Sequence, residues 1–200
     1  MLARKKVKHL YIGIESGLDD VLKFMKKDHD LAQAYQAIDR LHEAGLIYDA
    51  HIMTGVAGKG RGMENAEALA QFLNRTNPAH VVNFSMFLHK EVPLYQDIRQ
   101  GTFVPADELE TIREEYHLIE RIAPEKAGAN ILYDGFHDFI HVRVRGHLPG
   151  DKEKMLAKLN GIIQEYEGKE PVYSFVQGEC PDLEYCDDGK AVWDMDRKTS

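Results

Sequence analysis

The sequence predicts an α/β protein in which parallel strands alternate with helices. Three observations carry this. The run Leu10 to Ile14 is wholly apolar, aromatic or glycine, as in a short strand buried on both faces. Two further apolar stretches, 46–54 and 80–88, have the same character. Between the three lie segments with helical spacing, long enough for the right-handed crossovers that join parallel strands.

In chain order, Val21 to Lys27 reads as a short helix after the first strand. Asp28 or Asp30 then caps a second helix, Leu31 to Ala44, with Ala34, Ile38 and Leu41 on one face and Gly45 as its stop. Leu46 to Thr54 is the second strand, closed by the glycine-rich run Gly55 to Gly62. A helix over Glu64 to Arg75 follows, and Asn77-Pro78 breaks it. His80 to Leu88 is the third strand. Pro93 to Gly101 is a short helix and turn, and Pro105-Ala-Asp107 opens a long amphipathic helix to Ile122, with Leu109, Ile112, Tyr116 and Ile119 as its apolar positions. Ile131 to Val144 reads as two short extended pieces, and a last helix spans Lys152 to Glu167. From Gly168 the chain is acidic and irregular, to be packed through Tyr173, Phe175 and Trp193.

Two hundred residues give enough chain for a sizeable core, and 44% hydrophobic with 29% charged residues is ordinary for a globular protein. A net charge of -8 argues against a nucleic-acid backbone as partner. Arg4 to Lys8 is a short basic cluster flanking the first strand. No uncharged apolar run approaches the roughly 18 residues of a membrane span, and the N-terminus lacks a secretory h-region. With only Cys180 and Cys186 there is no disulfide framework, so a cytoplasmic location is expected.

The candidate site lies where the first strand ends, in Glu15-Ser16-Gly17. Gly17 allows a sharp turn, and Asp19 and Asp20 suit the positive end of a helix. A carboxylate and a hydroxyl are thereby left at the carboxyl edge of a strand, where α/β proteins bind ligands. The plainer reading makes Glu15 a solvated loop acid and Ser16 a helix N-cap.

Ile12 to Gly17 with Val21-Leu22, Glu43 to Gly45, Ile52 to Gly55 and Gly58 together resemble the second half of the radical S-adenosylmethionine (radical SAM) barrel. Asn77 to Val82, Pro93 to Tyr95, Gly101 to Phe103, Glu108-Leu109 and Arg145 to Lys152 continue the resemblance in order. It covers residues 8–165 and is similar to oxidoreductases of the anaerobic coproporphyrinogen oxidase and Elongator-type groups. The resemblance implies a partial (β/α) TIM-type barrel over residues 1–123 and an extension over 124–200 packed on it. It also implies S-adenosylmethionine (SAM) and a [4Fe–4S] cluster as cofactors of the parent enzyme.

On this resemblance the three strands match barrel strands four to six. Glu15 and Ser16 then stand where the family contacts the ribose hydroxyls of SAM. A carboxylate accepting from both hydroxyls makes a charge-assisted, bidentate contact. Gly55 and Gly58 match the loop that passes close to the adenine, and Phe84 or Phe87 packs on the base, depending on register.

The chain departs from the family in having no C-x3-C-x2-C motif. Cys180 and Cys186 cannot supply the three thiolates a cluster needs. The Gly-Gly-Glu stretch that holds the methionine amine is also missing. The chain is therefore expected to be a radical SAM protein that starts in its middle, inactive without the cluster-binding half. Extending the reading frame upstream is expected to reveal that motif about 100–150 residues before Glu15. No catalytic or metal-ligating residue is assigned, and the resemblance does not name the substrate.

Two other readings remain open. Gly55 to Gly62, with Lys59 and Arg61, suits a phosphate held by backbone N–H groups, although it does not fit the P-loop spacing. An open barrel edge favours a homodimer or a structural role. His137, His141 and His147 read as ordinary polar or substrate-side histidines rather than metal ligands, and His51 and His80 as interior ones.

Overall fold

The computed structural model describes residues 6–175 and the backbone of two short paired strands, Cys186–Asp187 and Lys190–Ala191. The readings placed on Cys180 and Trp193 lie outside the described residues.

Five strands form one sheet in the order β1-β2-β3-β4-β5. They are β1 (His9–Glu15), β2 (Ile47–Thr54), β3 (His80–Ser85), β4 (Ile131–His137) and β5 (Val142–Leu148). The first four run parallel, joined by helical crossovers, and β5 returns antiparallel along β4. The two extended pieces expected after Ile131 are thus β4 and a hairpin partner, and both join the same sheet. Among the described residues the sheet is not closed into a full barrel.

The helices are α1 (Asp19–Phe24), α2 (Leu31–Glu43), α3 (Gly62–Thr76), α4 (Pro93–Gln100), α5 (Glu108–Arg121) and α6 (Lys152–Tyr166). Their ends follow local chemistry. Of the two aspartates proposed as caps for α2, Asp30 is the one used: it accepts from Gln33 N while the Gln33 side chain accepts from Asp30 N. Asp107 caps α5, and Pro93 opens α4 at its first position. Among the described residues no helix is long and apolar enough to cross a membrane.

Strand alternation divides the sheet into two unlike faces. On one, Ile14, Tyr48, Ala50, Ile52, Val81, Tyr133, Val144 and Leu148 pack against α2, α3, α5 and α6 in the main core. The other carries Tyr11, His51, His80, Phe84, Phe136 and Arg143, linked by ring and hydrogen-bond contacts. Tyr11 on that face is 56% exposed. A second cluster of Val21, Val56, Met86, Leu88, Phe103 and Phe175 lies over the carboxyl ends of the strands.

Ile119 of α5 is fully buried in the main core, whereas Phe87 is 54% exposed. Ile119→Ala is expected to lower the unfolding free energy by about 2–5 kcal/mol. Phe87→Ala should stay within about 0.5 kcal/mol of the parent, both by urea titration.

Candidate functional site

The site is built on the carboxyl ends of β1, β2 and β3 and the loops that follow them. Glu15 pairs with Ile52 and Ile52 with Asn83, whereas Thr54 pairs with Ser85, so β1 ends two residues short of the level ends of β2 and β3. Glu15 has φ +62, a left-handed backbone that is costly for a residue with a Cβ. That geometry turns its side chain back along its own strand. A Cβ at Gly13 would lie 2.6 Å from Glu15 Oε1, so Gly13 leaves the space that the carboxylate fills. Lys27 Nζ holds the same oxygen at 3.1 Å, and both side chains are partly exposed. Gly13 pairs with His51 and Met53 with Phe84, which places the Glu15 carboxylate on the Phe84 face of the sheet.

Phe84 stacks on Phe136 with centroids 5.5 Å apart and meets the edge of His51 at 6.0 Å. Arg143 lies over the Phe136 ring at 4.7 Å and pairs with the buried Asp134. Of the two candidate phenylalanines, register therefore puts Phe84 in the aromatic row. Phe87 lies past the end of β3 and points its ring to solvent.

Ser16 is withdrawn from this surface. It is fully buried; its hydroxyl donates to Asn65 Oδ1 at 2.6 Å and accepts from Leu18 N at 3.1 Å. It is also not the cap of α1, whose N-cap position is Leu18. The glycines of the next loop serve close approaches within the protein. Gly55 and Gly58 have φ +82 and +80; a Cβ on Gly55 would meet Thr111 at 2.8 Å, and one on Gly58 would meet Val104 O at 2.9 Å. A pocket of about 380 Å³ opens between α1 and this loop, with Phe24, Phe103, Lys59 and Arg61 among its walls.

Behind the strand ends lies a buried polar network that sequence reasoning missed. Helix α5 presents Glu108, Glu114 and Glu115 to the sheet, none more than 2% exposed. Glu114 accepts from Gly55 N at 2.8 Å and from Asn65 Nδ2 at 2.7 Å. Burial pushes its carboxyl up to about 8, against the pull of those two donors. His137 of β4 sits between Glu108 and Glu115, at 2.9 and 3.0 Å from its two ring nitrogens. Burial favours the neutral ring, but the Glu115 charge and both hydrogen bonds outweigh it and raise His137 to about 10. Glu115 also accepts from Asn83 and Tyr133, and Glu108 from Ser85 and Ser174. The available signal was helical spacing: 108, 111, 115 and 118 share the face of Ile112 and Ile119.

His137, His141 and His147 do not converge. His137 is buried against α5, His141 has a left-handed backbone after a single 3-10 turn, and His147 is exposed on β5. Among the described residues no group of three or more His, Cys, Asp or Glu is placed to hold a metal. The glycine loop, for its part, already has acidic side chains as partners: Gly55 N goes to Glu114, Gly60 N to Glu110, and Arg61 pairs with Asp20 and Glu64.

Residues 1–73 match the sequence profile of the Radical SAM superfamily. The N-terminal part of this chain is radical SAM-like. It contains Glu15, Ser16, Gly55 and Gly58, while Phe84 and Phe87 follow it. A solved structure of the archaeal Methanocaldococcus infernus Elp3, lacking its N-terminal residues 1–46, superposes with a TM-score of 0.54 at 21% identity. The superposition covers 62% of this chain and 29% of that one, so this chain spans less than a third of the Elp3 length. At that identity the likeness is one of fold. No curated protein matches significantly. A [4Fe–4S] cluster does not fit the donors present, because residues 6–175 contain no cysteine.

With His137 raised from 6.5 to about 10, its contribution to stability is complete below pH 6.5 and is lost as pH rises through about 10. The difference in unfolding free energy between the parent and His137→Gln should therefore be largest at pH 6 and shrink steadily towards pH 10. Urea titrations at several pH values give that difference. One that stays constant with pH would mean that His137 is neutral in the folded protein.

Proposed function

We propose that this chain is the nucleoside-facing part of a radical SAM iron–sulfur oxidoreductase. One observation carries the reading: the Glu15 carboxylate is folded over Gly13 on the face that bears Phe84, at the carboxyl edge of parallel strands. A carboxylate there accepts from both ribose hydroxyls, and Lys27 holds it in place. Phe84, flanked by His51 and Phe136, supplies an aromatic surface for the base. Gly55 and Gly58 shape the loop above, and Ser16 fixes its neighbour through Asn65.

The cluster and the methionine end of SAM belong to a segment that carries three cysteines. In such enzymes the cluster supplies the electron that cleaves SAM. This chain's share is binding and orientation, and it is inactive alone. That segment joins at β1, which has a strand neighbour on one side only among the described residues. Without it, the same edge and the exposed Tyr11 favour a second copy of the chain. Sedimentation velocity should then show a concentration-dependent dimer, and a monomer over a hundredfold concentration range would exclude it.

The phosphate reading of Gly55 to Gly62 is not favoured, because Glu110 and Glu114 already occupy N–H groups it requires.

Calorimetric titration with S-adenosylhomocysteine tests the nucleoside reading. Glu15→Gln should weaken binding by about tenfold or more, the loss of a charge-assisted contact. Phe84→Ala should weaken it as well, and Phe87→Ala should not. No binding by the parent chain at millimolar ligand, or parent-like binding by Glu15→Gln, would overturn it.

A further inference from the structure

The two loops of the proposed nucleoside site are tied to each other through the protein's interior. Glu114 of α5 accepts from Gly55 N with one oxygen and from Asn65 Nδ2 with the other. Asn65 of α3 then accepts, on its single carbonyl oxygen, from Ser16 Oγ at 2.6 Å and Gly17 N at 3.2 Å. Ser16 Oγ finally accepts from Leu18 N. Asn65 and Ser16 are fully buried and Glu114 is 1% exposed, so solvent offers no substitute partner.

Donors and acceptors in this chain can be assigned in one way only. Gly55 N and the Asn65 amide group are donors, so Glu114 must accept twice. Ser16 and Gly17 both donate to Asn65 Oδ1, so its amide cannot flip without losing three bonds at once. Space reinforces the seat. A Cβ on Gly17 would lie 2.5 Å from the α3 backbone at Ala68 and Leu69, and one on Gly62 would lie 3.0 Å from Glu114 Oε2. The loop after β1 and the loop after β2 thus rest on one carboxylate and one carboxamide.

We infer that Glu114, acting through Asn65, positions both strand-mouth loops as a single unit, so that a ligand contact at Glu15–Gly17 is felt at Gly55–Gly58. Glu114 is a positioning residue in this scheme and touches no ligand. The inference rests on the nucleoside reading for its functional meaning, but the coupling belongs to the chain itself. Its consequence is that ribose and base contacts are made together: ordering one loop lowers the cost of ordering the other.

A swap of the two side-chain types tests it. Glu114→Gln leaves an amide N–H facing another N–H, and Asn65→Leu removes both the acceptor of Ser16 and Gly17 and the donor to Glu114. The double variant Asn65→Asp/Glu114→Gln restores every donor to an acceptor. Its carboxylate at position 65 would accept from Ser16, Gly17 and the new amide, and the carbonyl of that amide, at position 114, would accept from Gly55 N. Amide hydrogen exchange over residues 15–22 and 52–60 is the readout. Each single variant should speed exchange in both segments by about tenfold, and the double variant should return both towards the parent rate.

Three results would overturn the inference. These are acceleration in one segment only, a double variant as fast as the singles, or an equal rise across α5 and β3, which would mean general loosening. The double variant guards against a single substitution that fails to fold. Titration of the same proteins with 5′-deoxyadenosine adds the functional arm, where the singles should bind weakly and the double should recover. If the parent chain does not bind the nucleoside, the proposed function fails while the exchange pattern still judges the coupling.

Discussion

Everything near the strand ends depends on one costly act, the burial of three glutamate side chains from a single helix. Isolated charges in such a place are strongly disfavoured. Helix α5 makes them tolerable by giving each a complete set of partners. Glu114 takes a loop N–H and Asn65, Glu115 takes Asn83, Tyr133 and His137, and Glu108 takes Ser85, Ser174 and the other side of His137. These partners come from β3, β4, α3 and the C-terminal segment near Ser174. The helix thereby sets the height of several strand ends at once, which apolar packing, being non-directional, cannot do.

The C-terminal segment shows how far this ordering reaches. Glu108 N donates to Val172 O, Leu88 N donates to Ser174 O, and Phe175 enters the cluster above the strands beside Leu88. Part of the region that reads as an irregular tail is thus fastened to the start of α5 and the end of the β3 run. Its Tyr173 and Phe175 were visible in the sequence as packing residues; its backbone bonds were not.

The fold was largely legible because its signals are local. Periodicity placed β1 to β3 and all the helices to within a few residues, and Asp30, Asp107 and Pro93 mark helix starts by their own chemistry. The hairpin of β4 and β5 was only partly readable. Val142 to Leu148 alternates exposed arginines with buried residues, yet nothing local says that this strand turns back along β4. The placement of the candidate residues was legible only where it follows from the strand end. Glu15 follows from it, and so does Gly17. The inward turn of Ser16 does not, because it needs Asn65, 49 positions away. The buried glutamates were hidden by their own polarity, since a Glu on a helix is read as solvent-facing unless its partners are known.

The fold-back of Glu15 over Gly13 has a consequence for descent. The acid occupies the volume in which any side chain at position 13 would begin. A single methyl group there would crowd the oxygen that Lys27 holds, and the acid would have to shift away from position 13. The glycine and the acid should therefore be inherited together, and a lineage that gave up one would have little reason to keep the other.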